Sequence, residues 1–269
     1  MCSRHFKARL LPGLQLLMSV GLLTTAIAST AAHSQTAQEV LIGTDKVRNP
    51  GQPFKVLNRL TEYRGGQPRQ SLTVVVYSKL AADSGQYRNL ARYLEPPRDL
   101  GKMFLMSGKF MWFFDPASAA SVRISPQQRL LGQASNSDVL TVNLNRDYSA
   151  AMVGEESIRD ADNQARNTWH LDLSAASDAA VYLRIEYWVE KATFYPVKAK
   201  FYADSGRPLK VAYYRRLMKQ LGGMRPTEAI ILDEVDTNVI TKMSFSDYRA
   251  MEIPERWYQR EYLPHLRAQ

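Results

Sequence analysis

Cysteine is nearly absent: among 269 residues only Cys2 is present. That excludes a disulfide framework and any cysteine-rich zinc or iron–sulfur site. Histidine is scarce, with four in the chain, so a transition-metal cage lacks ligands as well. There is no G-x-x-x-x-G-K, no G-x-G-x-x-G and no G-x-S-x-G, which removes phosphate-cradling loops and the hydrolase nucleophile elbow. Glycine and proline, at 14 and 13, are too few for a low-complexity or collagen-like chain. What remains, 45% hydrophobic and 23% charged, is the composition of an ordinary globular core, and the length suits one large domain.

Acidic residues are missing altogether before Glu39. Arg4, Lys7 and Arg9 precede an apolar run from Leu10 to Ala28, and small residues follow. These are the three parts of a secretory signal peptide, expected to be cleaved after Ala28, Ala32 or Ser34. The alternative is an uncleaved anchor, which Pro12, Gly13 and Gly21 disfavour. Cys2 stands ahead of the apolar run, so it is not placed as a lipid acceptor. Without the three basic residues of 1–34, the net charge falls from +9 to +6. The reading is a signal peptide over 1–34 and one exported domain over 35–269.

Beyond residue 40 the dominant pattern has period two, the mark of half-buried strands. Phe54 and Val56, Leu72, Val74 and Val76, and Val181, Leu183 and Ile185 alternate with polar partners and are expected on the covered face of a sheet. Trp169, Leu171 and Leu173 follow the same rule, as do Val239, Thr241 and Met243. Turn chemistry separates the runs at Gly65-Gly66, Asp83-Ser84-Gly85, Asp204-Ser205-Gly206 and Gly222-Gly223. Such spacing predicts a meandering antiparallel sheet, a sandwich or a barrel. Helices are few: one over 41–50, one candidate after Ser137-Asp138 that also alternates like a strand, and one over Glu255–Tyr262 behind Pro254. The polar stretch 150–166 reads as a loop between two halves of the sheet.

Candidate chemistry is thin. Asp160, Asp162 and Asn163 open like a calcium loop, but Ala165 stands where glycine is needed and Leu171 where glutamate is. His170 shares a strand face with Asp172, and with a nearby serine the pair would suit nucleophilic catalysis; the alternative is the polar outer face of a strand. Glu155 and Glu156 are neighbours rather than spaced carboxylates. Tyr213 to Arg216, with Lys219 and Arg225, could meet lipid headgroups or an anionic partner, or form a solvated hairpin. Export makes nucleic acid a poor partner.

The distinctive residues are apolar. On Phe110-Met-Trp112-Phe-Phe114 both strand faces are greasy, so helices or a ligand must cover the second face. The stretch Pro97–Pro116, with Val122-Arg-Ile-Ser-Pro-Gln-Gln-Arg129 and Gly132-Gln-Ala-Ser-Asn-Ser-Asp138, resembles the outer-membrane lipoprotein-sorting family. This is the LolA/LolB-like group of periplasmic carriers, in the branch associated with transporters of the resistance–nodulation–division (RND) type. The resemblance is concentrated in residues 95–148, and the strand pattern is compatible over about 40–264. It implies a mainly β (α+β) fold: one curved antiparallel sheet forming a half-barrel plugged by short helices, with 134–148 a helical lid. It implies a monomeric, non-enzymatic carrier without cofactor or metal, binding lipoprotein or other lipid acyl chains and serving an inner-membrane RND-type transporter. Phe54, Val56, Leu72, Val74, Val76, Phe104, Phe110, Trp112, Phe114, Leu183 and Ile185 are then the candidate lining of its cavity. Carriers of this fold hold their lid with an arginine; no motif marks it here, and Arg59 is the candidate. The rival readings are an adaptor subunit whose interior its own helices fill, and a secreted hydrolase using His170.

Overall fold

The computed structural model describes residues 35–236 and 238–266; the expected signal peptide and its cleavage points lie outside the described residues. The chain opens with helix α1, Ala37–Arg48, started by a capping box between Thr36 and Glu39. That reciprocal cap satisfies two otherwise orphaned backbone donors. Ala37, Val40, Leu41 and Thr44 are buried on one face, at helical spacing, and Lys46 and Arg48 stand at the negative end of the dipole. Pro50 stops the helix by pushing Asn49 into extended backbone.

Six strands follow: β1 Phe54–Arg64, β2 Gln67–Leu80, β3 Tyr87–Glu95, β4 Met103–Ser107, β5 Phe110–Asp115 and β6 Ala120–Ile124. Next comes a small ribbon, β7 Arg129–Leu131 and β8 Ala134–Ser135, then a 3₁₀ turn at Asn136–Val139 and the one-turn helix α2, Leu144–Asp147. The chain then returns through β9 Tyr148–Arg159, β10 Ala165–Ala175, β11 Arg184–Glu190, β12 Pro196–Tyr202, β13 Pro208–Gln220, β14 Gly223–Asp233 and β15 Val239–Ala250. Two 3₁₀ turns, Glu255–Tyr258 and Arg260–His265, end the described chain.

Thirteen of these strands form one antiparallel sheet in the order β6-β5-β4-β3-β2-β1-β15-β14-β13-β12-β11-β10-β9. The sheet is curved and does not close into a barrel. The first and last strands lie side by side in its middle, while β6 and β9 are its two free edges. The segment 125–147 joins those edges.

On the inner face, Val56, Leu60, Leu72, Val74, Val76 and Phe104 pack with Met243 and with Val139 and Leu140 of the joining segment. Beside them, Val40 and Leu41 of α1 pack on Leu171, Leu173, Ile185 and Tyr187. Full burial of each such side chain contributes about 2 kcal/mol before ordering costs. The outer face is covered too: Val75, Tyr77, Leu90, Met103, Leu105 and Phe114 lie under Ile253, Tyr258 and Leu263 of the C-terminal turns.

Five expectations are corrected. Residues 150–166 are edge strand β9 and its turn into β10, not a loop; as an edge β9 is mostly exposed, so its composition is polar. The segment 134–148 is not one helix, because extended residues 140–143 separate its 3₁₀ turn from α2. The first helix lies over 37–48 rather than 41–50, and the helix expected over 255–262 is two 3₁₀ turns. Leu183 is 54% exposed, since β11 begins only at Arg184 and the alternation does not reach back across the preceding bend.

Candidate ligand-binding cavity

The inner face and the joining segment enclose a mostly apolar cavity of about 160 Å³. Its wall includes Phe54, Val56, Ile185, Ala212, Ile231 and Met243 from the sheet, and Val139, Leu140 and Leu144 from the joining segment, which acts as its lid. A cavity of similar size holds a group of about benzene dimensions. Accommodating a whole acyl chain therefore requires the lid to move.

The lid is held by amides rather than by apolar contact alone. Asn58 Nδ2 donates to the Val139 carbonyl at 2.6 Å, Asn89 Nδ2 to the Thr141 carbonyl at 2.9 Å, and Asn49 Nδ2 to the Val142 carbonyl at 2.9 Å. Gln86 pairs with both backbone groups of Asn143. Asn58 and Asn89 are 1% and 0% exposed. A buried amide left unpaired costs about 1–3 kcal/mol, so each bond favours the closed lid. The extended backbone of 140–143, lacking helical partners, takes its hydrogen bonds from the sheet's side chains instead.

A buried ion pair completes the clamp. Lys210, 4% exposed, meets Asp138 in the lid's 3₁₀ turn and lies 5.2 and 5.1 Å from the ring centres of Tyr182 and Phe201. Burial opposes its charge, but Asp138 and Tyr182 hold its ammonium above the usual lysine range. Asp138 also accepts from the Ser135 N–H at 2.7 Å. Gly132, in the β7–β8 turn, is required twice over: its φ is +55°, and a Cβ there would run into Thr241 Oγ1. The close approach lets the Gln133 N–H donate to that hydroxyl at 2.8 Å.

Of the candidate lining residues, Phe54, Val56 and Ile185 border the cavity. Leu72, Val74, Val76 and Phe104 lie in the adjoining inner core without reaching it. Phe110, Trp112 and Phe114 do not line the cavity. The parity of β5 puts Met111 inside, while Trp112 and Phe114 join the outer cluster under the C-terminal turns. Arg260 stacks 4.1 Å above the Trp112 ring, and Phe110 is 40% exposed. Leu183 is on the surface. Arg59 is exposed and alternates with the inward Asn58, so it does not hold the lid; Asn58 and Lys210 do. The sequence signal for them was an asparagine in an inward strand position and a lysine followed by Val211-Ala212, both polar interruptions in apolar strands.

The other sequence candidates are structural. His170 stacks on Trp188 at 4.3 Å between Glu156 and Glu186, and among the described residues no serine hydroxyl hydrogen-bonds to it. Asp172 pairs with Arg184. Arg215 and Arg216 pair with Glu228, and Arg225 donates to the Lys46 and Val47 carbonyls at the end of α1. Among the described residues, no group of three histidine, acidic or cysteine side chains is placed to hold a metal. No described helix is long and apolar enough to cross a membrane.

An open, curved sheet of this kind is shared with known proteins. A family model described as an uncharacterized protein matches residues 85–265. A LolA superfamily protein from Nitrosomonas europaea is 29% identical, with a TM-score of 0.75 over 85% of this chain and 100% of its own. A DUF1329 family protein from Desulfovibrio piger, 20% identical, has a TM-score of 0.71 over 84% of this chain and 97% of its own. A candidate outer membrane lipoprotein-sorting protein domain from Vibrio parahaemolyticus, 15% identical, has a TM-score of 0.70 over 85% and 98%. No curated protein matches. The chain belongs to the matched family and is a LolA-like protein.

Proposed function

We propose that the protein is a non-enzymatic periplasmic carrier, exported by cleavage of residues 1–34. It takes up lipoprotein acyl chains or another lipid and delivers them towards the outer membrane, in partnership with an inner-membrane RND-type transporter. The observation that carries this reading is the apolar cavity closed by a lid whose hold is polar and divisible. Apolar contact alone would reseal around any cargo, whereas amides and one ion pair can be exchanged for water or for a partner's groups. Each methylene moved from water into such a wall contributes about 0.8 kcal/mol, so a sixteen-carbon chain offers about 12 kcal/mol before ordering costs. That sum is of the same order as what the lid bonds hold, so cargo uptake offsets the opening of the lid.

The test is native mass spectrometry of protein recovered from the periplasm, followed by calorimetric titration with neutral alcohols of rising chain length. Co-purified lipid, and affinity that grows with each methylene, are expected. Folded wild-type protein that binds no chain of any length refutes the carrier reading and gives first place to the adaptor. Trp112 fluorescence is not a suitable reporter, because that ring lies on the outer face.

A further inference from the structure

One charged side chain in the cavity wall has more donors than partners. Arg48, at the end of α1, is the only basic residue of the described lining, and its side chain is 17% exposed. Its single ion pair runs from Nη1 to Asp45 Oδ1 at 3.3 Å. A guanidinium offers five N–H donors, so most are unspent. The Tyr187 hydroxyl reaches Arg48 and Thr44, yet neither it nor the Thr44 hydroxyl completes a hydrogen bond of proper geometry, and both are buried. Unsatisfied buried groups of this kind are rare and call for a missing partner. The two hydroxyls can accept as well as donate, whereas the guanidinium only donates, so the cluster as a whole has more donors than acceptors.

The neighbouring acids do not supply the acceptor. The second oxygen of Asp45 accepts from the backbone and side-chain amides of Asn145, at 2.8 and 2.7 Å. Burial also pushes the pKa of the Asp45 carboxyl up. Asp138 is taken by Lys210, and Asp147 by Ser177 and Gln86. Arg48 itself stays charged: burial opposes it, but Tyr187, Tyr214 and Asp45 raise its pKa further.

We propose that the cavity takes a single-chain amphiphile with an anionic oxygen head, a carboxylate or a phosphate monoester, with Arg48 as its counter-ion. The Tyr187 hydroxyl completes the head site, with the Thr44 hydroxyl behind it, and the chain runs along Val56, Ile185, Ile231 and Met243. This rests on the carrier reading and narrows its cargo, since the acyl chains of lipoproteins end in neutral linkages.

The experiment compares dodecanoate, dodecyl phosphate and dodecanol by calorimetry at pH 8 on the purified protein. Hydrogen bonds to a charged group predict that the anions bind about 10- to 100-fold more tightly than the alcohol. The stronger of the two anions then tells a fatty acid from a phospholipid-derived cargo. Arg48→Gln should abolish the preference by bringing the anions down to the affinity that the same variant shows for dodecanol; Arg48→Lys should keep part of it. Tyr187→Phe should weaken the anions alone, by a few-fold. Equal binding of all three by wild type, or a preference that survives Arg48→Gln, overturns the anionic head site and leaves the carrier intact. No binding of any compound overturns both. If Arg48→Gln does not fold, the wild-type ratio and Tyr187→Phe decide.

Discussion

Replacing Lys210 with methionine removes the charged half of the lid clamp while keeping the volume of its aliphatic stem. Breaking one side of a buried ion pair costs about 3–5 kcal/mol, because the remaining charge is stranded. Here Asp138 keeps the Ser135 N–H and is 12% exposed, so the expected loss is about 2–4 kcal/mol. Asp138→Asn should be at least as costly, since Lys210 would be left buried without a counter-charge. The double variant Lys210→Met with Asp138→Leu should recover most of the loss, as apolar replacements of buried pairs often do. Urea unfolding gives the stabilities. Tryptic cleavage at Arg129 and Arg146, both within the lid segment, reports its detachment and should accelerate in each single variant. The pH dependence is also fixed in sign. Because the folded pKa of Lys210 is raised, the pair's contribution is complete at neutral pH and lost only above about 10.4, as the lysine deprotonates. A single variant within 0.5 kcal/mol of wild type, with unchanged lid cleavage, would refute this account of the clamp.

Asn58→Ala removes the donor to the Val139 carbonyl and should cost about 1–2 kcal/mol in urea unfolding, with faster cleavage at Arg146. Ile185→Ala should cost about 2–4 kcal/mol, whereas Leu183→Ala, two residues earlier but on the surface, should stay within about 0.5 kcal/mol in the same measurement. Trp112→Leu should destabilise the outer cluster by about 1–3 kcal/mol, yet leave acyl-chain affinity within twofold by calorimetry; a large affinity loss in folded protein would return Trp112 to the cavity.

The sheet was legible wherever one face was wet. In β1, for example, Phe54, Val56 and Leu60 alternate with partly exposed neighbours, and the period survives in the sequence. It failed where both faces are covered. In β5 the string of aromatics carries no parity, because Met111 packs inward while Trp112 and Phe114 meet the C-terminal turns. The greasy second face was rightly read as covered, but its cover is the chain's own C-terminus, more than 130 residues away in sequence. Strand β9 was hidden for the opposite reason, having neither face fully buried. The lid's holders were illegible because each bond joins distant positions, Asn58 to Val139 and Lys210 to Asp138, and pairing of that kind leaves no local pattern.

The strand order also sets the history of each molecule. Strand β1 is among the first to be synthesised and β15 the last, yet they are neighbours in the sheet. Until β15 arrives, the β1–β6 half exposes the inner edge of β1 as an open template for any extended chain. Closing that central seam brings together segments separated by most of the chain, which makes folding slow and the waiting half vulnerable to aggregation. A protein proposed to guard apolar chains from water thus needs the same protection while it folds.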